Sequence, residues 1–145
     1  VSTYFQGAVK SGDGFSETAT GVGTALFSQT ALIDFDADLV QEATFVLLKG
    51  GQIVDIVVDV LTAYNSATSA TSATLTVGTA SAGSQYAGAV DAKTAGRVRP
   101  TFSAAQLAAM DGIGSNTTAY ATVTSVGQPT AGQVRVTVLY TGGNA

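Results

Sequence analysis

Ile53-Val54-Asp55-Ile56-Val57-Val58-Asp59-Val60-Leu61-Thr62-Ala63 is the most strand-like stretch of the chain, and its reading decides the fold. Alternate positions place Val54, Ile56, Val58 and Val60 on one face and Ile53, Asp55, Val57, Asp59 and Leu61 on the other. Successive side chains of a strand point to opposite faces, so one wholly apolar face and one mixed face describe a strand that covers a core. A helix is a poor reading, because β-branched residues dominate and the 3.6-residue period is absent. Asp55 and Asp59 also interrupt the run well short of the ~20 clean apolar residues that a membrane-spanning helix needs.

The same pattern extends on both sides. Thr44–Leu48 is a strand leading into the turn signal Lys49-Gly50-Gly51, and Ala25–Phe27 and Ala31–Phe35 are short apolar runs before it. Downstream, the low-complexity segment Asn65–Ser72 has no large side chain to bury and reads as an exposed loop. It leads into the alternating strand Thr74–Gly78. Gly83–Val90 carries Tyr86 among small residues, and Arg97–Phe102 is extended, since the residue before Pro100 is kept from helical angles. Tyr120–Val126 and Gln133–Thr141 alternate strongly around the loop Gly127–Gly132 and read as a closing hairpin. One helix is expected: Ser103 and Gln106 match a capping box, Ala104–Met110 are good helix formers, and Gly112 and Gly114 end it. Seven or eight strands with regular turn signals predict an all-β fold, a two-sheet antiparallel sandwich or jelly roll, with one short connecting helix near 104–110. Residues 1–23, rich in Gly, Ser and Thr, read as an N-terminal arm, and residues 24–145 as a single β-sandwich domain.

Composition narrows the function. Charged residues are 11% of the 145, against about 25% for an average soluble domain, while hydrophobic residues are an ordinary 46%. The surface is therefore coated largely with small neutral groups, which lose little solvation when pressed against a neighbour. The chain has no cysteine and no histidine. That removes disulfides, thiolate nucleophiles, the usual zinc ligands and the commonest general base. A net charge of −4 with six basic residues lacks the clustered cations that phosphate binding requires, so no nucleic-acid partner is expected. Val1–Lys10 lack a basic region followed by an apolar core, so no secretory leader is expected there.

The motifs that suggest chemistry do not hold. Asp34-Phe35-Asp36-Ala37-Asp38 opens like an EF-hand calcium loop, but the sixth position is Leu39 and the twelfth Phe45, where Gly and Glu are needed. Its plain reading is a solvated acidic loop edge. Asp55 and Asp59 share a face at about 13 Å along the strand, beyond the roughly 5–9.5 Å of paired glycosidase carboxylates. Gly21-Val22-Gly23 lacks the rest of a dinucleotide fingerprint, and no nucleophile elbow is present. Catalytic, metal and cofactor residues are accordingly none, and the chain is not expected to be an enzyme. Arg97 and Arg99 alternate and so point the same way, about 6.6 Å apart. They suit either an acidic patch on a partner or the charge protection common on edge strands. With Tyr4, Phe5 and Phe15 of the arm, they are the candidate partner contacts.

Leu47–Ser66 leading to Ser72–Gly78, together with Tyr120–Thr124 through Gly127–Gly132 to Val134–Tyr140, resembles a pattern in small virion proteins of tailed bacteriophages. The resemblance covers the second strand-rich third and the last fifth of the chain, and its motifs are structural. It implies a sandwich or jelly-roll subunit on the phage particle, of the capsid decoration (cement) type, assembled in the host cytoplasm. Such a subunit would be a homo-oligomer, as a trimer, bridging major capsid protein subunits without membrane or nucleic acid. The alternative is a tail- or head-fibre module binding a host receptor or carbohydrate through the Asn65–Ser72 loop, with Tyr64 and Tyr86 exposed beside it.

Overall fold

The computed structural model describes residues 25–36, 38–65 and 71–141. The 1–23 arm, with Tyr4, Phe5 and Phe15, lies outside the described residues, as do residues 66–70 of the Ser/Ala/Thr segment. Eight strands and one helix follow in order: β1 (Leu26–Asp34), β2 (Val40–Leu47), β3 (Gln52–Asn65), β4 (Ser72–Gly78), β5 (Ala87–Asp91), β6 (Gly96–Val98), α1 (Ala104–Met110), β7 (Thr117–Val126) and β8 (Ala131–Thr141). The two short runs expected before Phe35 form one strand, β1, because the polar residues between them find cross-strand partners. Thr30, for example, meets Thr137 hydroxyl to hydroxyl at 3.0 Å.

The pairing is nested. β1 pairs with β8, β2 with β7, β3 with β6 and β4 with β5, all antiparallel. Pairs β3–β8 and β4–β7 then complete two four-stranded sheets, ordered β1-β8-β3-β6 and β2-β7-β4-β5. This is a long antiparallel ribbon rolled into two facing sheets, the jelly roll. It corrects the expected closing hairpin: β7 and β8 are both strands, but they lie in different sheets. Each has one buried face, Ala119, Ala121 and Val123 on β7 and Val134, Val136 and Val138 on β8. Placing those faces opposite each other, about 10 Å apart, buries both, and the four residues between Val126 and Ala131 carry the chain across.

The core lies between the sheets, built from Phe45, Leu47, Ile56, Val58, Leu75, Val77, Val123, Val136 and their neighbours, with Met110 of α1 closing one end. Fully burying a side chain of this size contributes roughly 1.5–3 kcal/mol. In β3 the expected core face is corrected at its start. Ile53 is buried and Val54 is 51% exposed, because the register with β8 slips between Ile53 and Asp55. The extra residue of a bulge reverses the alternation on one side of it. From Ile56 to Val60 the face is as expected.

Helix α1 begins at the capping box. The Ser103 hydroxyl accepts from the Gln106 N–H at 3.2 Å, and the Gln106 side chain accepts from the Ser103 N–H at 2.9 Å. One end of the sandwich gathers the β2–β3 turn, the β4–β5 loop and the α1 segment. There Gly50 N–H donates to the Ile113 carbonyl, Ile113 N–H to that of Gly51, and Gln106 Nε2 to that of Ser84. At the opposite end Tyr64, fully buried, donates its hydroxyl to the Ile33 carbonyl at 3.2 Å. Its ring lies over Gly132, where a Cβ would come within 2.6 Å of ring carbons. Burial pushes the Tyr64 hydroxyl pKa upward, so it remains a donor.

Candidate functional site

All three arginines of the chain, Arg97, Arg99 and Arg135, converge on the outward face of the first sheet. β3 presents Asp55 and Asp59 there, β8 presents Arg135 opposite Asp59, and β6 presents Arg97 opposite Asp59 from the other side. Asp59 is thus clamped from both neighbouring strands. Arg97 donates Nε to Oδ1 at 2.6 Å and Nη2 to Oδ2 at 3.2 Å, while Arg135 donates Nε and Nη2 to Oδ2 at 3.2 and 2.8 Å. These bonds, Arg97 first and then Arg135, hold the Asp59 carboxyl down at about 2, against the desolvation that opposes them. Asp59 is therefore a fixed anion and offers no proton for acid catalysis. Arg99 holds Asp55 more loosely, Nε to Oδ2 at 3.6 Å, and stays largely exposed. The two sequence-predicted arginines do share one face, and their first partners lie within the chain. Arg135 escaped the sequence reading because it sits 76 residues from Asp59; only strand pairing brings them together.

The two long sides of the sandwich differ. Where edge strands β1 and β2 meet, the Gln29 side chain bridges the gap, donating to the Val46 carbonyl at 2.7 Å and accepting from its N–H at 3.3 Å. Where edge strands β5 and β6 run side by side, the sandwich opens into a groove of about 530 Å³. Its lining is small (Gly88, Ala89, Ala95, Gly96), with Arg97 and Arg99 as its cations and Asp91 as its anion.

The outward face of the second sheet carries charge only on its edge strands, at Glu42 of β2 and Asp91 of β5. Because Gln41, Ala43, Phe45 and Leu47 of β2 point inward or are partly packed on the core, the register places Thr44, Thr118, Tyr120, Thr122, Thr124, Thr74 and Thr76 outward. Thr122 is covered by the β4–β5 loop, accepting from the Ala82 N–H at 2.9 Å. Several large apolar side chains are also exposed where β1 begins and β2 ends: Leu26, Phe27, Val46 and Leu48.

The other sequence features fall into structural roles. In the acidic run, Asp36 Oδ1 accepts from the Asp38 N–H at 2.7 Å and from Gln41 Nε2 at 3.1 Å, Gln41 Nε2 also donates to the Asp38 carbonyl, and Asp34 accepts from Gln133 at 2.8 Å. Among the described residues no group of three or more acidic residues is arranged to hold a metal ion, and no helix is long and apolar enough to cross a membrane. Tyr64 and Tyr86, expected as exposed readers, are both buried. That removes the aromatic platform of the receptor- or carbohydrate-binding alternative.

Compared by sequence, the chain matches no protein-family model and no curated protein. Compared by structure, it matches a chain from the capsid of Ralstonia phage GP4. The fold is shared. The superposition has a TM-score of 0.58 and covers 85% of this chain and 86% of the phage chain, at 15% sequence identity.

Proposed function

We propose that this chain is a non-enzymatic structural subunit of a bacteriophage particle, of the capsid decoration type, which bridges major capsid protein subunits on the head surface as a homotrimer. The observation that carries the reading is the jelly roll itself, shared nearly end to end with a chain of a phage capsid. Fold alone does not assign a function, and the surface supplies the second support. A threonine-rich sheet face, charged only at Glu42 and Asp91 on its edge strands, and the exposed apolar corner at Leu26, Phe27, Val46 and Leu48 are surfaces that desolvate at modest cost. Contacts of about 800 Å² per partner, repeated around a trimer, add by avidity. Particle rupture would then have to break this chain's contacts as well as those between capsid subunits. In this reading Arg97 and Arg99, with Tyr4, Phe5 and Phe15 of the 1–23 arm, belong to the partner contacts.

The test is to mix the purified chain with phage heads that lack it, sediment the heads and heat both preparations. Binding at many copies per head with a raised rupture temperature supports the reading. Heads that sediment without the chain and rupture at an unchanged temperature refute it.

A further inference from the structure

We infer that in the free chain the segment around Phe15 folds back onto the apolar corner at Leu26, Phe27, Val46 and Leu48 and closes that side of the sandwich. Register carries the argument. Phe27 pairs with Tyr140 and shares its face of β1 with Ala31 and Ile33, which pack on the core. It is therefore set on the inward face of its strand, with its ring centroid 6.0 Å from that of Tyr140, and is still 48% exposed. Inward faces of a sandwich interdigitate to form the core, so a half-open aromatic there is a seat that lacks its cover. Gln29 meets Val46 across the seam. β1 and β2 are joined by the short turn at 35–39, which brings Leu48 about level with Phe27. Leu26–Ile33 and Ala43–Leu48 contain no charged residue, and contiguous apolar exposure of this kind marks a contact surface.

The chain itself supplies the occupant. Residues 1–24 lie outside the described residues and lead into β1 at Leu26, within the corner. Phe15 is the nearest aromatic upstream of Leu26, eleven residues away, a span of up to about 36 Å. Gly21 and Gly23 permit the chain reversal that its return requires. Asp13 and Glu17 flank Phe15, opposite in sign to Lys49, the charge that adjoins Leu48. A short tether holds its end at an effective concentration in the millimolar range, which favours the chain's own Phe15 over that of a second copy. The inference concerns the free chain and stands apart from the capsid reading. In that reading a partner that takes Phe15 lifts it from this seat, and heads can bind the chain whether or not the seat is filled beforehand.

The chain has no cysteine, so two introduced thiols report the contact directly. Ser16→Cys is combined, in the full chain, either with Ser28→Cys beside Phe27 or with Gln52→Cys, and each variant is mildly oxidised. Leu26 and Gln52 share the partner Thr141, so the control thiol lies about 10 Å from the start of β1, across β8 from the corner. Ser28 and Gln52 are both exposed, and neither thiol disturbs the core. The disulfide to position 28 should form within one chain, at a rate independent of protein concentration. It should form at least about tenfold faster than the disulfide to position 52, the scale set by burying one phenylalanine ring. Adding Phe15→Ser should bring the two rates together, and Phe15→Ser alone should shift the amides of Phe27, Val46 and Leu48. Equal rates with Phe15 in place, a disulfide formed chiefly between two chains, a rate difference that survives Phe15→Ser, or corner amides that do not move would each overturn the inference.

Discussion

Replacing Asp59 by asparagine removes the charge that joins three strands and leaves the backbone and side-chain volume nearly unchanged. Two arginines lose their shared anion, one from β6 and one from β8. Their side chains are 64% and 42% exposed, so water re-solvates them, and the heavy penalty of a stranded buried charge does not apply. Each exposed pair contributes about 0.2–1 kcal/mol. With Asp59 itself nearly buried and bonded four times, the sum should fall at roughly 1–2 kcal/mol. For a chain of this size that lowers Tm by about 3–8 °C. The pH dependence is the sharper readout. The folded-state pKa is lowered from 3.8 to about 2, so the contribution is fully present above about pH 4 and is lost as pH falls through 2. The Tm difference between wild type and Asp59→Asn should therefore be constant from pH 7 to about 5, then shrink toward zero as the pH approaches 2. Thermal melts of both proteins across that range check it. A gap at pH 7 that persists unchanged at pH 2, or no gap at pH 7, refutes the clamp.

Three further substitutions test the architecture. Gly132→Ala places a Cβ within 2.6 Å of the Tyr64 ring and should cost about 1–3 kcal/mol, seen as a lower urea midpoint with an unchanged slope. Ile53→Ala should cost about 2–5 kcal/mol, whereas Val54→Ala should stay within about 0.5 kcal/mol. Equal costs in chemical unfolding would contradict the register slip between them.

Much of this was legible from local pattern, and the limits have a physical reason. Alternation reports which side chains share a face, so the strands of Thr44–Leu47, Ile56–Val60, Tyr120–Val126 and Gln133–Thr141 could be read directly. The capping box at Ser103 and Gln106 is likewise a local signal, complete within four residues. Alternation is silent about partners. β7 and β8 follow each other closely and look like a hairpin, yet each buries its apolar face better across the sandwich than beside its neighbour. A bulge is equally silent: Ile53 and Val54 are both β-branched and apolar, and nothing in their chemistry says where the phase reverses. The ionic cluster needed long-range pairing to be seen, since Arg135 reaches Asp59 only once β8 lies against β3. Tyr64 and Tyr86 misled because an aromatic beside a loop can face inward, and here the Gly132 gap accepts one of them.

The nested pairing has a consequence for how the protein is made. Among the eight strands β4–β5 is the most local pair, and every other pair closes around it with growing separation along the chain. Such non-local topologies fold slowly. In the first sheet β8 lies between β1 and β3, and in the second β7 lies between β2 and β4. A chain emerging from the ribosome therefore holds β1 and β2 without an in-sheet partner, and β3 with only the three-residue β6, until Thr117–Thr141 has been synthesised. Its apolar strands wait in solution longer than those of a meander of the same length, and loss of the last strand removes the middle of a sheet instead of its edge.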